Sequence, residues 1–203
     1  MPEQTSKPTG ETPRILIAED EAIIRLDLKE MLEEEGIEVV GEAADGDAAV
    51  RLAGERNPDL VIMDIKMPGM DGLSAAEQII EKDLAAVLIL TAFSGKDLVH
   101  RAAEAGAMAY LVKPFQKSDL MPALELALAR YAELSALKKE SADLADRLET
   151  RKVVDRAKGK MIDNRGMTEA EAFRHIQKRA MDERRSMKDV AQEELDAASA
   201  DKA

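Results

Sequence analysis

Leu60-Val61-Ile62-Met63-Asp64-Ile65-Lys66-Met67-Pro68-Gly69-Met70-Asp71-Gly72 is the stretch that decides the fold. Four apolar residues end on a carboxylate, a Pro/Gly-rich loop follows, and a helix then runs to about Lys82. A short apolar run bounded by turn residues reads as a buried strand. The pattern recurs outward in both directions. Arg14 to Ala18, Ile37 to Gly41, Val87 to Leu90 and Ala109 to Val112 read as four more strands. Between them, Ile24, Leu28, Met31 and Leu32 share one helical face, which Gly36 terminates. Asp45 to Glu55 is helical with Ala49, Leu52 and Ala53 inward, and Gly95 to Ala105 is another helix. Alternating strands and helices predict an α/β domain with a doubly wound, five-stranded parallel sheet covered on both faces. Such sheets place their ligand sites beyond the carboxyl ends of the strands.

Composition limits what that domain can do. The 203 residues carry 41 Asp+Glu against 29 Lys+Arg, a net charge of −12, and no Cys. Absence of Cys excludes a disulfide scaffold, a thiol nucleophile and Cys-based zinc or iron–sulfur sites. No apolar run approaches the ~20 residues that span a bilayer. Residues 1–13 are polar, hold Pro2, Pro8 and Pro13, and lack the apolar stretch of a signal peptide. They are expected to be disordered, and the chain to be cytoplasmic with no membrane partner. The charge is unevenly distributed: residues 147–188 hold thirteen Lys/Arg and seven Asp/Glu, a local excess of +6, and the remainder carries −18. An acidic bulk with a basic island suggests two modules with different partners.

From Ser118 the chain reads as helix for a long way. Leu120, Leu124, Ala127, Tyr131 and Leu134 follow a heptad rhythm, which resumes after one extra step at Leu137, Ser141, Leu144 and Leu148. This spacing fits a seam that pairs two chains, or one helix packing on its own domain; the pattern leaves both open. Three helical stretches follow. The first ends near Asn164-Arg165-Gly166. The second opens with the capping box Thr168-x-x-Glu171 and is expected to bury Ala172, Phe173, Ile176 and Ala180. The third opens at Ser186-x-x-Asp189 and carries Met187, Val190, Ala191 and Leu195. The expected organisation is a disordered start at 1–13, an α/β domain at 14–130, a helical linker at 131–148, an all-α three-helix module at 149–197 and a frayed tail at 198–203.

In a parallel sheet, Glu19, Asp20 and Asp64 lie on one rim, because each follows a strand directly. Their mutual repulsion would be relieved by a divalent cation, and an all-oxygen ligand set suits Mg²⁺. Thr91 and Lys113 end the fourth and fifth strands on the same rim. A hydroxyl, an ammonium and a cation around one carboxylate make a pocket for a phosphoryl group, with Asp64 as nucleophile. Any one of these residues alone reads as ordinary surface polarity; five at successive strand ends do not.

Residues 14–130 resemble the flavodoxin-like receiver domain of two-component response regulators. The matching motifs are Ile17-Ala18-Glu19-Asp20-Glu21, Val61 to Gly72, Leu90-Thr91-Ala92 and Ala109-Tyr110-Leu111-Val112-Lys113-Pro114-Phe115. The resemblance implies that Asp64 accepts phosphate from a sensor histidine kinase. It also implies that Asp20, Asp64 and the Lys66 carbonyl hold Mg²⁺, with Glu19 acting through water. Thr91 and Tyr110 would form a switch pair, and the Lys113–Pro114 bond would be cis, an isomer that X–Pro bonds reach at low cost. A phosphoryl group adds charge and three acceptor oxygens, so Thr91 would swing toward it and leave room for Tyr110 to turn inward.

In the basic island Lys152, Arg156 and Lys160 form a cationic stripe at i, i+4 and i+8, widened by Arg151 and Lys158. Arg174, Lys178 and Arg179 add to it on the next helix. Such a patch is the footprint of phosphate-backbone binding. Gly159 interrupts this helix at a cost of about 1 kcal/mol relative to Ala, which suggests close approach of another backbone or a ligand. Competing readings are a solvated face, docking onto the acidic domain, or a protein- or DNA-binding element. Residues from about 145 to 197 resemble the ANTAR domain, an RNA-binding output module, in Arg151 to Gly159, Met167 to Phe173, Arg179-Ala180-Met181 and Asp189-Val190-Ala191. Lys160, at a usually apolar position, and the Glu193-Glu194 pair depart from that pattern. Together the resemblances imply a phosphorylation-activated regulator, not a metabolic enzyme. It would bind RNA stem-loops in nascent transcripts and prevent terminators from forming, with a phosphorylation-linked homodimer as a further expected partner state.

Overall fold

The structure is a computed structural model that describes residues 12–92 and 96–200. Most of the expected disordered N-terminus, at residues 1–11, and the end of the expected frayed tail, at 201–203, lie outside the described residues.

Five strands form one parallel sheet: β1 (Arg14–Ala18), β2 (Glu38–Ala43), β3 (Leu60–Asp64), β4 (Ala86–Thr91) and β5 (Ala109–Val112), in the order β2-β1-β3-β4-β5. Helices α1 (Ala22–Glu34), α2 (Gly46–Arg56), α3 (Gly72–Glu81) and α4 (Lys96–Glu104) connect them, and α5 (Lys117–Arg165) leaves β5. Strand side chains alternate between two cores. Leu16, Val61, Met63, Val87 and Ile89 pack on one face with α2 and α3. Ile15, Ile17, Ile62, Leu88 and Leu90 pack on the other with Leu28 and Leu32 of α1 and Leu120, Leu124 and Ala127 of α5. The doubly wound α/β sheet follows from sequence because burial on both faces demands near-continuous apolar strands.

The chain divides between residues 134 and 135 into two compact units. Helix α5 continues through this position without a break, so the expected linker and the module's first helix are one element of 49 residues. No Gly or Pro lies near Thr150 to interrupt it. The heptad pattern divides instead. Leu120, Leu124 and Ala127 are buried in the first unit's core, whereas Leu134, Leu137, Leu144 and Leu148 are exposed.

In the second unit the C-terminal part of α5 packs with α6 (Glu169–Glu183) and α7 (Met187–Ala200). Their core holds Val153, Ala157, Met161, Ala172, Ile176 and Val190, among others. The Thr168/Glu171 capping box forms, and Ser186 Oγ accepts the Asp189 N–H at 3.0 Å. Phe173 corrects the sequence reading: it is not core but 40% exposed. Ala172, Ile176 and Ala180 step at fours along the buried face, and Phe173 lies one residue, about 100°, around the helix from that line. Among the described residues no helix is long and apolar enough to cross a membrane.

Candidate functional site

Parallel pairing brings the predicted rim residues together. Glu19 and Asp20 follow β1, Asp64 closes β3 opposite Leu90, Thr91 closes β4 opposite Val112, and Lys113 comes next on β5. Carboxylate oxygens of Glu19, Asp20 and Asp64 lie within 4.8 Å of one another. Glu19 and Asp64 are buried and Asp20 is exposed. Lys113 Nζ sits 2.6 Å from Glu19 Oε2 and 2.8 Å from Asp64 Oδ1. One ammonium paired with two of three clustered carboxylates leaves excess negative charge at this corner. Burial, joined by repulsion from Asp64, raises the Glu19 carboxyl above its ordinary value against the opposing hydrogen bond from Lys113. Burial pulls Lys113 down, but its bonds to Asp64 and Glu19 outweigh that and hold it above the usual lysine value. Hard oxygen donors at this spacing, with charge still to neutralise, fit Mg²⁺.

The Asp64 carboxylate is held at both oxygens: Oδ1 faces Lys113, and Oδ2 accepts the Lys66 backbone N–H at 2.8 Å. Thr91 is buried, and its carbonyl accepts the Lys113 N–H at 2.7 Å. Tyr110, opposite Ile89 on β5, is 48% exposed, and the Lys113–Pro114 peptide is cis.

Two supports of this corner were not singled out from sequence. Gly72 approaches the backbone so closely that a Cβ there would lie 1.8 Å from the Asp64 carbonyl oxygen, and its N–H donates to the Ile65 carbonyl at 2.9 Å. Any side chain at 72 would push α3 away from the end of β3. Arg25 on α1 reaches back to donate to the carbonyls of Glu19 at 2.5 Å and Asp20 at 3.4 Å, bracing the loop that carries both carboxylates. The Gly in the quoted stretch was a visible signal for the first; nothing in the spacing marks the second.

In the second unit the predicted cations do not form one uniform patch. Lys152, Arg156, Lys160, Arg174 and Lys178 are exposed. Arg156 and Arg174 donate through Nε to the carbonyls four residues before them. Arg151 is exposed and lies 3.8 Å from Asp155. Lys158 is different: its side chain is 14% exposed and pairs with Asp155 at 2.7 Å and Glu169 at 2.9 Å. Arg179 bonds Glu183, Glu193 and Glu194 at 2.7–2.8 Å. Glu194, the departure noted in the sequence, is buried and is the hub of this cluster. Arg165 from α5 lies 2.9 Å away, and His175 and Arg179 from α6 lie 3.1 Å and 2.7 Å away. Burial pushes the Glu194 carboxyl up, but hydrogen bonds from Arg179 and His175 and the Arg165 charge outweigh it and hold the group below its ordinary value. The signal for this role was present: Glu194 falls three and four residues after Ala191 and Val190, on the buried face of α7. Apart from its chain neighbours and its own helix's nearby backbone, no described atom lies within 4 Å of the position a Cβ would take at Gly159, so no other element of this chain explains the glycine.

Comparison with known proteins agrees with this division. Residues 15–125 match the response regulator receiver domain, and residues 142–193 match the ANTAR domain. The transcriptional regulatory protein PdtaR of Mycobacterium tuberculosis is 61% identical over 179 residues, covering 88% of this chain and 87% of that protein. The chain belongs to the PdtaR family of two-component response regulators. It is thus a regulatory protein of receiver–ANTAR architecture rather than a classical enzyme. The receiver is also similar to chemotaxis protein CheY of Bacillus subtilis, 42% identical over 116 residues, covering 57% of this chain and 97% of that one. Among solved structures, the signal receiver domain of the putative response regulator NarL from Mycobacterium tuberculosis matches with a TM-score of 0.57 and 30% identity, over 59% of this chain and 98% of that one.

Proposed function

We propose that Asp64 is the phosphoacceptor of a Mg²⁺-dependent receiver, and that phosphorylation raises the affinity of the ANTAR module for RNA stem-loops in nascent transcripts. The protein thereby acts as a cytoplasmic transcription antiterminator under the control of a sensor histidine kinase. The observation that carries this reading is the Glu19/Asp20/Asp64 cluster, in which Lys113 bridges Glu19 and Asp64, in one chain with an ANTAR domain.

Asp20, Asp64 and the Lys66 carbonyl would hold Mg²⁺, with Glu19 acting through water, and the bound ion would supply positive charge for the phosphoryl oxygens. Asp64 attacks phosphorus through a carboxylate oxygen as the bond to the donor imidazole breaks, forming an acyl phosphate. Lys113, already bonded to Asp64, stays within reach of a transferred oxygen, and the Thr91 hydroxyl turns to donate to another. The vacated space favours an inward Tyr110, which starts outward. Phosphate shifts this equilibrium only as far as it prefers the inward packing. Hydrolysis of the acyl phosphate in the same site resets the protein.

The exposed Leu134, Leu137, Leu144 and Leu148 keep heptad spacing and are the seam along which phosphorylated chains pair. On the module, Lys152, Arg156, Lys160, Arg174 and Lys178 supply phosphate contacts, with Arg151 at their edge. Lys158 and Arg179, being ion-paired within the module, order it instead.

Salt-dependent binding of the full chain to an RNA hairpin and to duplex DNA tests the reading. Tighter hairpin binding with a steep salt slope is expected; a preference for duplex DNA, or affinity that ignores salt, overturns it.

A further inference from the structure

The cationic stripe of α5 opens into a groove of about 470 Å³ between α5 and α7. It is lined by Arg156, Gly159, Lys160 and Asp163 of α5 and by Gln192, Leu195 and Asp196 of α7. Gln192 Nε2 donates to Asp196 Oδ1 at 2.9 Å, which sets the amide and the carboxylate side by side while each keeps an acceptor oxygen.

Two features need a common explanation. First, Gly159 weakens the helix, yet no described atom fills the space its missing side chain leaves. Second, Asp163 and Asp196 stand in a groove continuous with residues suited to phosphates. A phosphate backbone alone would be repelled by both carboxylates. A nucleobase would not: its flat face can lie on the bare backbone at Gly159 and beside Leu195, and exocyclic N–H groups donate to carboxylate oxygens.

We infer that this groove is a base-reading site, which takes one unpaired nucleotide of the RNA loop with its phosphate on Arg156 and Lys160. Its base carries an exocyclic amino group directed at Asp196 and Gln192. Guanine, adenine and cytosine meet that requirement, and uracil does not. The inference rests on the RNA-binding reading above and adds to it a division of labour. The stripe supplies salt-sensitive affinity, and the groove supplies loop-sequence preference.

The test selects hairpins that share one stem and carry a randomised loop, using the full chain with Mg²⁺ and a small-molecule phosphodonor. The wild-type protein is expected to enrich an amino-bearing base at one loop position at least. Asp196→Asn is expected to lose that enrichment while keeping the salt slope. Gly159→Leu, which fills the groove at a position with open space, is expected to weaken selected hairpins on the order of tenfold toward the affinity of an all-uridine loop. Gly159→Ala, followed by circular dichroism, checks that the helix tolerates a side chain there. Hairpin binding by the wild type with no loop preference, a uridine preference, or a preference unchanged in Asp196→Asn and Gly159→Leu overturns the groove and leaves the RNA reading standing. Failure of the wild type to bind any hairpin overturns both.

Discussion

The acidic rim of the receiver and the basic face of the ANTAR module use charge in opposite ways. On the rim, one ammonium pairs with two of three clustered carboxylates, Glu19 and Asp64, and the negative surplus is what the proposed cation and phosphoryl group would use. On the module, a large share of the charge is satisfied within the fold: Lys158 and Arg179 are bound by acids of their own unit, and a buried Glu194 gathers Arg165, His175 and Arg179. Net charge does not separate these cases. A local excess of +6 describes the basic segment, but only the cations without carboxylate partners are suited to a polyanion.

The largest effect expected from breaking the comparison lies on the rim. Asp64→Asn should reduce phosphodonor labelling to background, read as loss of the shifted band in phosphate-affinity electrophoresis, because no other rim carboxylate is aligned by both Lys113 and the Lys66 N–H. Substantial remaining label would show another acceptor. Next is the hub. Glu194→Ala removes the acceptor shared by three cations and should cost the module about 1–3 kcal/mol, measured by chemical unfolding; an unchanged midpoint would show the cluster to be energetically silent.

Acid should expose the same difference. Because the folded state holds Glu194 below its ordinary value of 4.5, its contribution is complete above that pH and drains away as pH falls through the lowered value. Glu183 and Glu193, held down mainly by hydrogen bonds from Arg179, shift the same way. Melting of the module should therefore fall below about pH 4.5, and Glu194→Gln should flatten that fall. The smallest expected effect separates working cations from structural ones. Lys152→Ala should lower the salt slope of hairpin binding by about one, whereas Arg179→Ala should lower the melting temperature and leave the slope intact. The reverse result would exchange their assignments.

Much of the receiver was legible in the sequence, because its topology does the geometric work. A carboxylate at the end of a parallel strand must lie on the same rim as one at the end of its neighbour, so Glu19, Asp20, Asp64, Thr91 and Lys113 could be grouped without coordinates. Sequence could not say that Arg25 would brace the loop after β1, since that contact depends on a side-chain path. The module was less legible for the same reason. Helical spacing brings Lys158 to Asp155 and Arg179 to Glu183, but their further partners Glu169, Glu193 and Glu194 sit on other helices, and the rotation of those helices is fixed by packing. Phe173 shows the limit in its simplest form: one position on a helix separates a core residue from an exposed one.

Hairpin binding measured with and without a phosphodonor, for the wild type and Asp64→Asn side by side, tests the central claim most directly. Donor and Mg²⁺ should tighten wild-type binding and leave the variant at its unstimulated affinity. Equal tightening in both proteins, or none in the wild type, would contradict control of the RNA module by the phosphoryl group on Asp64.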